Sequence, residues 1–327
     1  MSMFRFRRAK PEGESTTQQL PGVIDTIGLG YSHLLNQPSI LLVPFLLDLL
    51  FWSGARVGIG PITSIIADWL DTFGADGESL AGTVQQQAGF NILELLSFWS
   101  PMLRLPTYLP LASSSESTLG GIAFSSLPWP AVVVIGVAAF LVSLVVVSGY
   151  LIGVEDATSG RTPHLAFSRI VRHALSFLIW LVVAVLLLVF VSTPLMLVGA
   201  LLAALGVGGT ALVSLLVGLP LFWGFIFLFF SFYAIVIDGR GALGGMQSSY
   251  RVVRAYFWQT IGFIVIYEIV TGAFPFVFQR LESQPAGYLL ASIGYAFIGS
   301  GMIAAGLIFY RDRARRLGLP AAMSSER

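Results

Sequence analysis

Residues 236–258 read "VIDGRGALGGMQSSYRVVRAYFW", and two folds compete for them. Gly239-x-Gly241-x-x-Gly244 after a Val/Ile-rich run is the written form of a dinucleotide fingerprint. That fingerprint works only where a strand runs into the glycines and a helix leaves them, with an acidic residue about 20 positions on for the ribose. Neither flank supplies the setting. Upstream, Ala174 to Ile237 carries no formal charge, far more apolar chain than one strand needs; downstream, no Asp or Glu occurs before Glu268, inside another apolar run. The stretch reads instead as a helix leaving a membrane, a glycine turn and a short helix leading back in, with no nucleotide at Gly239–Gly244.

Composition agrees. Of 327 residues, 56% are hydrophobic and only 11% charged, against about a quarter charged in an average soluble domain. Cysteine is absent, which excludes disulfides, thiol catalysis and thiolate metal sites. The expected fold is an all-α integral membrane protein. A crossing needs roughly 20 apolar residues to cover about 30 Å of hydrocarbon. Suitable tracts are Pro38 to about Gly60, Ala131 to Val154, Ala174 to Ile237, Phe257 to Phe278 and Ala286 to Tyr310. The third is long enough for two helices turned at Gly206–Thr210, giving six transmembrane helices. Residues 1–35 are then a cytoplasmic tail and interfacial segment, without the apolar core of a cleaved leader. Residues 36–312 form the membrane domain, with an extracytoplasmic loop at 61–129, and 313–327 a second cytoplasmic tail.

Charge placement sets the orientation, because short cytoplasmic segments hold an excess of Lys and Arg. With both termini inside, fifteen of the eighteen basic residues are cytoplasmic, among them Arg161, Arg169, Arg172, Arg240, Arg251, Arg254 and Arg311 to Arg316. Arg56, Arg104 and Arg280 remain outside with Asp68, Asp71, Asp76, Glu78, Glu94, Glu116 and Glu282.

An internal repeat places the opening stretch. A shift of 82 positions brings Asp156 onto Asp238, Arg169 onto Arg251 and Arg172 onto Arg254, whereas Ala157, Ser159 and Thr162 fall under the three glycines. A weaker third copy lies at residues 28–46, "GLGYSHLLNQPSILLVPFL". In the second copy Met246, Tyr250, Val253 and Phe257 form one helical stripe and Gln247, Arg251 and Arg254 another. Such amphipathic helices are expected to lie in the cytoplasmic headgroup layer, with Arg169, Arg172, Arg251 and Arg254 on lipid phosphate. Asp156 and Asp238 are expected to hold the turns, Asp238 by pairing with Arg240 or Arg251.

Residues 231–266, "SFYAIVIDGRGALGGMQSSYRVVRAYFWQTIGFIVI", and 153–183, "GVEDATSGRTPHLAFSRIVRHALSFLIWLVV", together resemble a membrane domain attached to some glycerophosphodiester phosphodiesterases and to related free-standing bacterial six-helix proteins. The resemblance spans about 130–312. It implies the six-helix fold and a bacterial inner (cytoplasmic) membrane, and little chemistry, because the hydrolase activity of that family belongs to a separate soluble domain.

Chemistry is hard to assemble from the rest. In "PITSIIADWLDTF", residues 61–73, Ile62, Ile65, Ile66, Trp69, Leu70 and Phe73 fall on one helical face with Asp68 and Asp71 opposite, so this helix should lie on the outer surface. Of three histidines, His173 reads as an interfacial anchor, and Glu155, Asp156 and His164 lack the second histidine expected of a metal site. No metal, cofactor or nucleic acid is expected. The function that remains is a non-enzymatic scaffold or accessory subunit of the envelope, touching lipids and a membrane-protein partner or a second copy. The alternative is a transporter or lipid-handling permease using Asp48 and Glu268. These lie ten and eleven residues beyond Pro38 and Phe257, roughly 15 Å deep at 1.5 Å per residue. A carboxylate at that depth is costly to ionise, so each is expected neutral or paired, lining a central cavity on the transporter reading.

Overall fold

The computed structural model describes residues 20–52, 56–97, 103–108, 124, 127–161, 166–205, 210–281 and 285–319. Eleven α-helices run through these residues: α1 (Val23–Asn36), α2 (Leu42–Trp52), α3 (Gly60–Asp71), α4 (Ala75–Gln85), α5 (Trp129–Thr158), α6 (Phe167–Ala204), α7 (Thr210–Leu228), α8 (Ser231–Asp238), α9 (Gly241–Ala255), α10 (Phe257–Phe278) and α11 (Pro285–Arg316). Five spans are long and apolar enough to cross a membrane: α5, most of α6, α7 continued by α8, α10 and α11. A sixth exists if α1 and Pro38–Trp52, bent 93° from each other, count as one crossing. The protein is thus a multi-pass membrane protein with five or six crossings. The turn expected at Gly206–Thr210 falls largely outside the described residues, but α6 and α7 end on either side of it.

The bundle is built around α11, whose crossing is 78% buried against 22% for α6 and α10. Where α11 carries its arginines, an aromatic core fills the interior: Phe229, Phe230, Tyr233, Phe263 and Phe309 have no exposed surface. Phe230 and Phe309 stack with centroids 5.2 Å apart, and Phe263 meets Phe309 at 4.8 Å. Pro194, Pro220 and Pro275 lie within α6, α7 and α10 without ending them. The actual break, at Phe229–Phe230 between α7 and α8, contains no proline. It is mended from outside: the Ser249 hydroxyl of α9 donates to the Phe227 carbonyl at 2.8 Å and accepts the Phe230 N–H at 3.2 Å. Freed backbone groups are tolerated at membrane depth only with such a substitute partner.

The largest departure from the sequence reading is α1. Its residues were expected in a tail, yet it lies along α11 as a helix. Tyr31 donates its hydroxyl to the Ile298 carbonyl at 3.0 Å, and Arg313 reaches the Pro21 carbonyl at 3.4 Å, so the two helices run antiparallel. The contact depends on glycine. A Cβ on Gly30 would stand 2.6 Å from the Ala305 nitrogen and 2.7 Å from the Gly301 carbonyl oxygen, both backbone atoms. Apolar helix therefore begins near Val23 rather than Pro38, and α2 ends at Trp52 rather than near Gly60. Arg56 to Gly58 instead run alongside Asn91, which bridges to Gly58. Gly30→Leu is expected to force α1 off α11 at a cost of about 1–3 kcal/mol. Gly28→Leu, whose Cβ would meet nothing within 4 Å, is expected to be silent. Thermal unfolding in detergent compares the two.

Candidate functional site

At the end of the bundle away from the α11 arginines, α3 and α4 pack on each other. α3 buries only Thr63 and Ala67 and leaves Ile65, Ile66 and Trp69 exposed, as is Phe73 just beyond its end, so its apolar face is turned outward. Ile92–Ser97 follows as a short 3₁₀ stretch against α5. Then the chain turns inward. Leu103 and Leu105 join the main core, and Thr107 and Tyr108 have no exposed surface. Pro106 lies against Gly299 of α11, so close that a Cβ there would meet its ring. Gly299 is fourteen residues from Pro285, about 21 Å along the helix. A segment expected on the outer surface is therefore an irregular strand of backbone driven deep between the helices.

Irregular backbone survives at that depth only if protein satisfies it. Asp48, 1% exposed, does so: its two carboxylate oxygens accept the Tyr108 N–H at 2.8 and 3.0 Å. The Tyr108 ring packs edge-on to Phe278 and tilted against Tyr295. Arg104 is carried in with the segment, its Nε buried without a hydrogen-bond partner among the described residues. Burial lowers the pKa of its guanidinium, opposed by Tyr295 and by the Glu94 and Asp48 carboxylates. Burial likewise raises the pKa of the Glu94 carboxyl, opposed by Arg104 and Arg56. Glu268 stands elsewhere, on the exposed side of α10. The Asp48 carboxyl meets the inserted segment, whereas Glu268 is exposed on α10, and both carboxyls act electrostatically on Tyr295.

At the arginine end, the repeat holds for the order of elements and fails for the side chains. In the first copy Asp156 receives Arg169 through both oxygens at 3.1 Å, while Glu155 takes Arg161 at 3.1 Å and Arg169 at 3.3 Å. Arg311 adds bonds to the Ser159 hydroxyl and the Thr158 carbonyl. Arg169 is thus held by carboxylates rather than by lipid phosphate, and Glu155 and Asp156 are occupied by arginine. His164 lies outside the described residues, and His173, expected as an interfacial anchor, is 3% exposed. In the second copy Asp238 accepts the Tyr310 hydroxyl at 2.7 Å rather than an arginine, and Arg251 and Arg254 are exposed. The reason is geometric. The basic stretch of the first copy is the first turns of α6, whereas α9 is a separate helix docked against α6, α7 and α8.

That docking explains the glycines. Gly239 and Gly241 have φ of 64° and 72°, the left-handed values that a turn out of a helix requires and other residues avoid. Gly245 sits under Ile235 and the Ser231 carbonyl, where a Cβ would collide. Met246 and Val253 face the protein with Ala242, Ser249 and Val252, while Tyr250 points out. The expected stripe is therefore split, and the buried face of α9 rests on other helices instead of lipid. Arg169→Gln, leaving Asp156 buried beside an uncharged side chain, is expected to cost about 2–4 kcal/mol. Arg251→Gln should stay within about 0.5 kcal/mol; denaturant titration of both variants tests the contrast.

Arg313, assigned by sequence to a tail, is 1% exposed. Its guanidinium lies 3.4 Å from the Phe309 ring centroid and donates to Gln259 Oε1 at 3.2 and 3.0 Å, to the Phe309 carbonyl at 3.3 Å and to the Pro21 carbonyl. It ties together the start of α1, α10 and α11.

No curated protein and no solved structure matches the chain. The family match it does make carries no link to the glycerophosphodiester phosphodiesterases that its repeated segments resemble. That match covers residues 22–309, taking in α1, the inserted segment and nearly all of α11, and by it the chain belongs to the DUF7847 family, a domain of unknown function.

Proposed function

We propose that this multi-pass protein is a non-enzymatic scaffold or accessory subunit in a bacterial cytoplasmic membrane, with both termini cytoplasmic. The observation that carries the reading is the use made of Asp48. The carboxyl expected to serve transport is spent on holding an inserted segment in place, beside an interior filled by aromatic rings. Exposed Arg172, Arg251 and Arg254, with Tyr250 and the 81% exposed Trp258 nearby in sequence, support contact with lipid headgroups at the cytoplasmic face. Neither a cofactor nor a nucleic acid has a role in this reading.

Two measurements test it. Proteoliposomes should show no flux driven by a pH gradient, while a mild-detergent pull-down retains a stable membrane partner. Flux that Asp48→Asn abolishes would instead establish the permease. Orientation is tested by single cysteines in the cysteine-free chain. Ser79, Ser168 and Gln247 are exposed; Ser79→Cys is expected to react with an impermeant thiol reagent in intact cells, and Ser168→Cys and Gln247→Cys only after lysis.

A further inference from the structure

We infer that the exposed face of α10 around Glu268 docks a membrane-crossing helix of another protein, one that presents a basic hydrogen-bond donor at mid-depth. This rests on the subunit reading and names the chemistry of the partner. Glu268 is the twelfth residue of a 22-residue crossing, about 16 Å from its start. It is exposed between Val265 and Ile269, themselves 49% and 61% exposed. Among the described residues none hydrogen-bonds or ion-pairs with it. Four other acids in or at the ends of the crossings have bonding partners within the chain: Asp48 a backbone N–H, Glu155 and Asp156 arginines, Asp238 the Tyr310 hydroxyl. A carboxyl turned to hydrocarbon without a partner is costly, and such residues ordinarily pair across helices.

The surface beside it has room for a close neighbour. Gly272 and Ala273 are exposed one turn on, and a Cβ at Gly272 would meet nothing within 4 Å. Where helices of this chain approach each other, as at Gly30, Gly245 and Gly301, a Cβ would stand under 3 Å from neighbouring atoms. Small residues beside a polar one let a second helix come near enough to bond with it. Charge complementarity selects the occupant. Lys and Arg occur in the crossing helices of this chain only near their arginine-rich ends, so a second copy docked by the same face would set carboxyl against carboxyl. His33 of α1 is the single imidazole far from those ends.

The test uses the full chain in its native membrane, with photoreactive p-benzoylphenylalanine replacing Ile269 and, as a control, Leu187 on exposed α6. Irradiation at 269 should yield an adduct with another membrane protein. Mass spectrometry should place the cross-link in a crossing helix within a turn or so of a Lys, Arg or His. Glu268→Leu should lower the adduct at least tenfold and Glu268→Gln less. The isolated Glu268→Leu protein should unfold at the same temperature as the parent or higher, since no internal bond is lost. Lipid-only adducts at 269, a disulfide-linked dimer formed by Gly272→Cys, or an adduct indifferent to Glu268→Leu would each overturn the inference. A partner captured at 187 and not at 269 would also overturn it while leaving the subunit reading standing. Failure at both positions together with an empty pull-down removes both.

Discussion

Arg313→Ala is expected to lower the unfolding free energy by about 3–5 kcal/mol, the range for removing one partner from a buried, hydrogen-bonded charged network. The loss is not mainly one of charge. It leaves the Gln259 side chain and the Pro21 carbonyl without their donor and uncovers the Phe309 ring, so three elements come loose together. Arg313→Lys keeps the charge but cannot supply the planar fork or stack as well on the ring; about half the loss should return. Arg315→Ala, two residues on and exposed, should stay within about 0.5 kcal/mol. Tryptophan fluorescence during denaturant titration in micelles measures all three, and equal effects at 313 and 315 would refute the account.

The second large effect is expected at Asp48. Asp48→Leu removes the side-chain acceptor of the buried Tyr108 N–H, about 1–3 kcal/mol by itself, and a countercharge from half-buried Arg104. The total should be about 2–4 kcal/mol, with Asp48→Asn near half because its carbonyl still accepts. Position is the more informative readout. Thr107 has no exposed surface, so Thr107→Cys should react slowly with thiol reagents, and adding Asp48→Leu should speed the reaction at least tenfold. Unchanged labelling would show that the inserted segment is held by Leu103, Leu105 and Tyr108 alone.

These two residues also mark the boundary of what sequence can show. Crossings from residue 131 onward are legible because hydrocarbon imposes a length and a polarity, and α10 has the very limits, Phe257 and Phe278, that its apolar run sets. α1 is not legible: its 14 residues include Asp25 and His33 and fall short of a crossing, and its partner lies 267 residues away at Ile298. The inserted segment has no periodicity to find, and the side chain that accepts its Tyr108 N–H is 60 residues upstream. Charge counting puts Arg169, Arg251 and Arg313 on the same side of the membrane but cannot tell which is paired, exposed or buried. That depends on carboxylates, rings and carbonyls supplied by distant helices. The repeat shows the same limit, since Asp156 and Asp238 occupy equivalent positions and take partners 13 and 72 residues away.

The antiparallel contact of α1 with α11 has a consequence for biosynthesis. Ribosomes add about 5–20 residues per second, so the 292 positions separating Pro21 from Arg313 represent roughly 15–60 s of translation. Throughout that interval α1, about 21 Å long, has no α11 to lie against and is too short to span the bilayer alone. The earliest of the described helices to leave the ribosome is therefore among the last to reach its native position, and protease protection at Gly30 should arise only after α11 has been released from the exit tunnel.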